Sequence, residues 1–157
     1  MFKRILIANR GEIAVRIIRT CQELGIEAVA VYSNVDSTSL HVQLADHAVC
    51  IGPAKAADSY LNMKNILSVA TALGCDAIHP GFGFLSENST FARLVEECGI
   101  TFIGPSGDVI DMMGNKSMAR QKMIEAGVPV VPGSDGSVNT LQEAKEAANQ
   151  IGYPVLI

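Results

Sequence analysis

The chain has no tryptophan, and aromatic residues make up 5% of its 157 positions. That leaves little surface on which nucleic-acid bases could stack. Basic charge is not in excess either: 12 Lys and Arg stand against 16 Asp and Glu, for a formal net charge of −4. With no basic stripe, a nucleic-acid partner is not expected. No apolar run reaches membrane-spanning length, and no signal or transit peptide pattern precedes the first strand pattern. The expected location is the cytoplasm, with no membrane partner. The C-x-x-C pair is also missing, so zinc-ligand spacing is absent. Cys21, Cys50, Cys75 and Cys98 each lie in or beside an apolar segment and are expected to be reduced, buried thiols.

What the sequence does have is a recurring alternation. Short apolar runs at Ile5–Ala8, Ala28–Val31, Ala48–Ile51, Cys75–Ile78 and Thr101–Ile103 are separated by helix-patterned segments. Continuous apolar runs suit strands covered on both faces, as in a parallel sheet. The intervening segments are long enough for right-handed crossover helices. The fold class is therefore α/β with a doubly wound parallel sheet.

In the first helix, Asn9 is the expected N-cap, with Glu12 completing a capping box. Ile13, Ala14, Ile17, Ile18, Cys21 and Leu24 form its expected apolar face. Arg16, Arg19 and Glu23 fall opposite, as a solvated face or as a subunit contact. Further helices are expected near Met63–Leu73 and Ser89–Cys98. The pattern changes after Gly104-Pro105. Two helices follow, near Gly107–Met113 and Lys116–Ala126. Then come an extended Val128–Val131, a turn-rich loop, and a helix opened by the Thr140/Glu143 capping box. Tyr153–Ile157 reads as the start of a strand. A strand stopped in mid-run suggests a fragment. We expect an N-terminal α/β domain over residues 1–112 and the beginning of a second domain over 113–157.

Three segments are candidates for chemistry. Asn9-Arg10-Gly11-Glu12 follows the first strand, where a dinucleotide phosphate could sit. Only one glycine is present and Glu12 carries the wrong charge, so a capped helix start is the better reading. His79 to Asn88 leaves the carboxyl end of a parallel strand, where ligands bind in open α/β sheets. Its glycines allow close approach, and Phe82 or Phe84 could cover a flat ligand. The alternative is a turn whose Phe82, Phe84 and Leu85 pack inward and whose Ser86 or Asn88 caps the next helix. His79 by itself reads as a structural histidine. Gly114-Asn115-Lys116-Ser117 lacks the Gly-Lys step of a P-loop. Lys116 near a helix start points toward an anion, or is simply a solvated lysine.

The run Ile7-Ala8-Asn9-Arg10-Gly11-Glu12-Ile13-Ala14 resembles the opening of biotin carboxylases. The His79–Asn88 segment and Met113-Gly114-Asn115-Lys116 resemble two further motifs of that family, in the same order. The likeness is collinear over the whole chain, including Ser59-Tyr60-Leu61-Asn62. It implies a pre-ATP-grasp, Rossmann-like α/β domain followed by the start of an ATP-grasp domain. It implies a ligase that uses MgATP to activate bicarbonate as carboxyphosphate and carboxylates a ureido nitrogen of biotin. By the resemblance Lys116 contacts ATP phosphates, and Phe82 and Gly83 lie against biotin, with Glu87 shaping that loop. Arg16, Arg19 and Glu23 become candidate homodimer contacts. Phe82 stands where the family often has Tyr, so no hydroxyl role applies here.

The resemblance places the second phosphate-binding lysine, the magnesium carboxylates and the bicarbonate-binding arginines downstream of Ile157. No catalytic residue and no metal ligand is therefore expected within the chain, and the isolated chain is expected to be inactive. Implied partners are a biotin carboxyl carrier protein and a carboxyltransferase. The expected parent is a free-standing subunit of acetyl-CoA carboxylase in fatty-acid synthesis. Two other readings are another ATP-grasp ligase, such as a carbamoyl-phosphate synthetase, and a non-catalytic dimerisation module.

Overall fold

A computed structural model describes residues 1–134 and 136–156. They form two compact units, Met1–Ile110 and Asp111 onward.

The first unit is built on five parallel strands: β1 (Arg4–Ile7), β2 (Glu27–Ser33), β3 (His47–Gly52), β4 (Ala77–His79) and β5 (Thr101–Phe102). Their order is β3-β2-β1-β4-β5, so the chain winds one way from β1 to β3 and then crosses back to β4. Helices α1 (Gly11–Glu23), α2 (Leu40–Leu44), α3 (Met63–Ala72) and α4 (Ser89–Glu97) supply the crossovers. This is the expected α/β doubly wound sheet.

The sheet separates two apolar clusters. One gathers Leu6, Val29, Val31, Ile66, Ile78, Phe91 and Phe102 with their neighbours. The other packs Ile5, Ile7, Ala28 and Ala77 against Ala14, Ile18 and Cys21 of α1. Burying each large apolar side chain contributes about 1.5–3 kcal/mol, so both faces hold the central strands. At the amino ends of the strands, Asp76 accepts backbone N–H bonds from Lys3 and Arg4 at 2.6 and 2.9 Å. Those two donors hold its carboxyl below the usual carboxylate range.

Several expectations are corrected. The buried face of α1 is Ala14, Val15, Ile18 and Cys21, while Ile13 and Ile17 are half-buried and Leu24 is exposed. The stripe is rotated toward Val15, with Ala14, Ile18 and Cys21 packed on Ile5, Ile7, Ala28 and Ala77 of the sheet. β3 is largely exposed despite its apolar sequence, because it forms the sheet edge. Cys21 and Cys75 are buried, but Cys50 on that edge and Cys98 at the end of α4 are exposed; all four are free.

The second unit contains the end of α5 (Gly107–Gly114), then α6 (Lys116–Glu125) and α7 (Leu141–Ile151). Asn115 caps α6, and Thr140 with Glu143 forms the expected capping box of α7. The extended reading of Val128–Val131 gives no strand, and neither do residues 153–156. A strand needs a neighbour to receive its backbone hydrogen bonds, and the described residues of this unit include none. Ile157 lies outside the described residues.

Candidate functional site

The carboxyl ends of β1 and β4 are adjacent, and two loops leave them side by side. The first is the turn from β1 into α1. Asn9 is not the N-cap of α1; Arg10 occupies that place and makes no side-chain cap. Asn9 instead is 3% exposed and turns inward. Its Nδ2 donates to the carbonyls of Pro80 and Phe82, each at 2.8 Å, and its Oδ1 accepts from the Arg10 N–H at 2.9 Å. A buried amide must satisfy its hydrogens; the helix start offers only N–H donors, whereas the opposite loop supplies two carbonyl acceptors. The sequence pattern of a capping box fitted Asn9 equally well, so its true partner was not visible locally.

The second loop is Pro80–Asn88. His79 ends β4, half-buried, and its Nδ1 accepts from the Gly81 N–H at 3.0 Å. Burial lowers its pKa and so favours the neutral ring, the form in which Nδ1 can accept. Gly81 has φ +67°, and a Cβ there would lie 2.7 Å from both Asn9 Nδ2 and Ile13 Cγ2. Leu85 is buried in the core, and Asn88 caps α4 by accepting from the Phe91 N–H at 2.8 Å. Phe82, in contrast, is 76% exposed. Of the two alternatives for this loop, its far half packs inward as a turn would, while its near half holds a large aromatic ring in solvent. Gly83 is half-buried and Glu87 exposed on the same loop.

Phe84 is the only non-glycine with positive φ among the described residues, at +44°. That conformation costs about 1–2 kcal/mol, so its surroundings must hold it. Its ring stacks on Tyr60 with centroids 5.2 Å apart. The Arg10 guanidinium carbon lies 5.4 Å from the Tyr60 centroid and 5.6 Å from the Phe84 centroid. Tyr60 donates its hydroxyl hydrogen to Asp36 Oδ2 at 2.7 Å and accepts from the Ser33 N–H at 3.0 Å. Ser33 Oγ donates to the same Asp36 oxygen at 2.6 Å, and Arg10 Nη1 lies 3.6 Å from it. Hydrogen bonds from Ser33 and Tyr60 hold the Asp36 carboxyl below its usual range, while burial, then Asp36, push the Tyr60 hydroxyl up to about 12. Sequence reading missed Arg10, Asp36 and Tyr60 as a group. Arg10 and Tyr60 each lay in a stretch noticed for its resemblance, but Asp36 did not, and nothing in the sequence joined the three.

His41 is 1% exposed close to this network, and neither ring nitrogen has a well-formed hydrogen bond among the described residues. Burial lowers its pKa, against weaker opposing pulls from the Val31 backbone and Asp36.

Arg16, Arg19 and Glu23 are all exposed on α1. Beside Arg16, an apolar groove of about 330 Å³ is lined by Phe2, Ile5, Ile17, Cys21 and Leu24. In the second unit, Lys116 opens α6, is exposed, and makes no ion pair among the described residues. No three His, Cys, Asp or Glu side chains among the described residues converge to hold a metal. No helix among them is long and apolar enough to cross a membrane.

An open parallel sheet whose strand order reverses between β1 and β4, with the Asn9 turn and the Pro80–Asn88 loop at that reversal, is an α/β domain of the doubly wound class. Residues 1–110 match the model of the biotin carboxylase N-terminal domain, and the chain belongs to that family. Residues 115–157 match the ATP-binding domain of the carbamoyl-phosphate synthase L chain. Biotin carboxylase 1 of Bacillus subtilis is 62% identical over all of this chain and 35% of its own length. The biotin carboxylase of Campylobacter jejuni, solved as a β,γ-ATP complex, superposes with a TM-score of 0.92 at 49% identity, over 98% of this chain and 34% of that one. The biotin carboxylase domain dimer of Hydrogenobacter thermophilus 2-oxoglutarate carboxylase, solved with MgADP, ADP and bicarbonate, gives 0.90 at 55% identity over 98% and 34%. The chain thus spans about a third of the length of the relatives it matches.

Proposed function

We propose that the chain is the front part of an ATP-dependent biotin carboxylase. Bicarbonate attacks the terminal phosphorus of ATP, ADP leaves, and the carboxyl group of the resulting carboxyphosphate passes to a ureido nitrogen of biotin with release of phosphate. The carrying observation is Phe82: a large apolar ring held in solvent by a pinned loop at the carboxyl ends of the strands. A ring so exposed gains nothing for the core and is suited to cover a flat, partly apolar bicyclic ligand. Gly83 gives the ligand close backbone approach, and Glu87 shapes the turn into α4.

Residues 1–112 form the front domain and the ATP-grasp domain begins at 113. Lys116 supplies a cation for the ATP phosphates, supported by its exposure and by its having no acidic partner among the described residues. The described residues do not fit a magnesium site, so the metal required with ATP finds its ligands outside them. Residues 1–157 alone do not turn over ATP. Arg16, Arg19 and Glu23 belong to a homodimer contact, supported by the apolar groove beside Arg16. The whole protein acts in the cytoplasm with a biotin carboxyl carrier protein and a carboxyltransferase, for acetyl-CoA carboxylation in fatty-acid synthesis.

The test is ADP formation from MgATP by the full-length protein, with bicarbonate and free biotin each added or withheld. Turnover that rises only with both supports this reading. Turnover indifferent to biotin would favour a different ATP-grasp ligase, the second reading that the match of residues 115–157 supports.

A further inference from the structure

The loop that presents Phe82 is fastened at two points by the same short turn. Asn9 holds the near side through the Pro80 and Phe82 carbonyls. Arg10, the next residue, holds the far side through the rings of Phe84 and Tyr60. Only Gly83, at φ +70°, separates the two fastened residues. A change of backbone conformation at Phe84 therefore displaces the chain one residue after Phe82.

Phe84 does not hold its left-handed conformation unaided. Its ring is stacked at 16° on Tyr60, and Tyr60 is fixed in turn by hydrogen bonds to Asp36 and Ser33. Asp36 fixes the other member too, since its Oδ2 faces the Arg10 guanidinium. Tyr60 and Ser33 are essentially fully buried, so the base of this assembly is rigid. Arg10 is half-exposed, and its cation spans both rings at similar distances. A cation over two stacked rings holds them in register without entering the ligand space.

We infer that Arg10, Asp36 and Tyr60 are positioning residues for the biotin-facing loop, acting through Phe84 to set the aim of Phe82. This rests on the proposed function above. None of the three needs to touch substrate. Their effect is on how much of the protein has the loop in its binding conformation, so they alter apparent biotin affinity and leave ATP use alone.

The experiment uses the full-length protein and four variants: Arg10→Met, Arg10→Lys, Tyr60→Phe and Phe84→Ala. Steady-state ADP formation gives KM for biotin and for ATP separately. Arg10→Met and Phe84→Ala raise KM for biotin about tenfold, with KM for ATP and kcat at saturating biotin within about twofold. Arg10→Lys, which keeps the cation, recovers most of the loss. Tyr60→Phe keeps the ring and loses the bond to Asp36, giving a smaller rise of about threefold. Amide exchange over residues 81–88 speeds up in parallel.

An Arg10→Met protein with wild-type biotin KM and unchanged exchange overturns the inference. So does an equal rise in both KM values, which marks a general structural defect. If Arg10→Met does not fold, Tyr60→Phe decides by the same two readouts. If the wild-type protein shows no biotin-dependent turnover, the proposed function fails first, and the inference falls with it. In that case amide exchange in Arg10→Met still reports whether the clamp itself is real.

Discussion

Asn9 and Phe82 lie 73 positions apart in sequence, yet the Asn9 side-chain amide donates to the Phe82 carbonyl at 2.8 Å. The bond joins the end of the first strand to the residue whose ring stands in solvent. Asn9→Ala leaves the Pro80 and Phe82 carbonyls short of a donor in a part-buried place. It is expected to lower stability by about 1–3 kcal/mol, read as a drop in the urea midpoint at unchanged m-value.

Two neighbouring glycines should respond differently. At Gly81 a Cβ would meet Asn9 and Ile13 at 2.7 Å, in addition to the strain of φ +67°. At Gly83 the same Cβ meets nothing within 4 Å, and only the strain of φ +70° applies. Gly83→Ala is expected to cost about 1–2 kcal/mol, and Gly81→Ala distinctly more. Equal melting temperatures for the two variants would contradict this.

Phe82 contributes little to the core. Phe82→Ala is expected to change stability by no more than about 0.5 kcal/mol, while raising KM for biotin several-fold in the full-length protein. Thermal unfolding and biotin titration of one preparation test both halves.

The thiols divide by burial. Cys50 and Cys98 are exposed, whereas burial pushes the Cys75 thiol up to about 11 and also raises that of Cys21, with Asp46 adding to the latter. The thiolate is the reactive species. Alkylation of the folded protein at neutral pH should label Cys50 and Cys98 first, with Cys21 and Cys75 reacting only on unfolding. Peptide mapping after a short pulse shows the order.

His41 gives a pH dependence whose sign can be worked out. Its folded pKa lies below the ordinary 6.5, so the unfolded chain binds the proton more readily. The stability this contributes is complete above 6.5 and is lost as pH falls through the lowered folded value. His79, also lowered by burial, adds in the same direction. The urea midpoint should fall between about pH 7.5 and about pH 5.5, and His41→Leu should flatten the slope.

Much of the architecture was legible because parallel strands buried on both faces leave unbroken apolar runs. Ile5–Ala8 and Ala28–Val31 are such runs, and both became central strands. Ala48–Ile51 looked the same in sequence but lies at the sheet edge, since strand order is a property of the assembled sheet. The His79–Asn88 loop was legible from its glycines and its place after a strand. What fastens it was not. Asn9 with Glu12 satisfied a local pattern, and only tertiary contact with a loop some seventy residues on showed the competing partner. Arg10, Asp36 and Tyr60 carry no spacing that marks them as a set.

The strand order also has a consequence for how the protein is made. β1 and β2 emerge from the ribosome long before β4, yet β4 is the other neighbour of β1. Until residues near 80 arrive, the buried amide of Asn9 has no carbonyls to receive it. A nascent chain of two or three strands can collapse, but it cannot present Phe82. Synthesis therefore delays the Phe82 loop until the sheet that must support it is nearly complete.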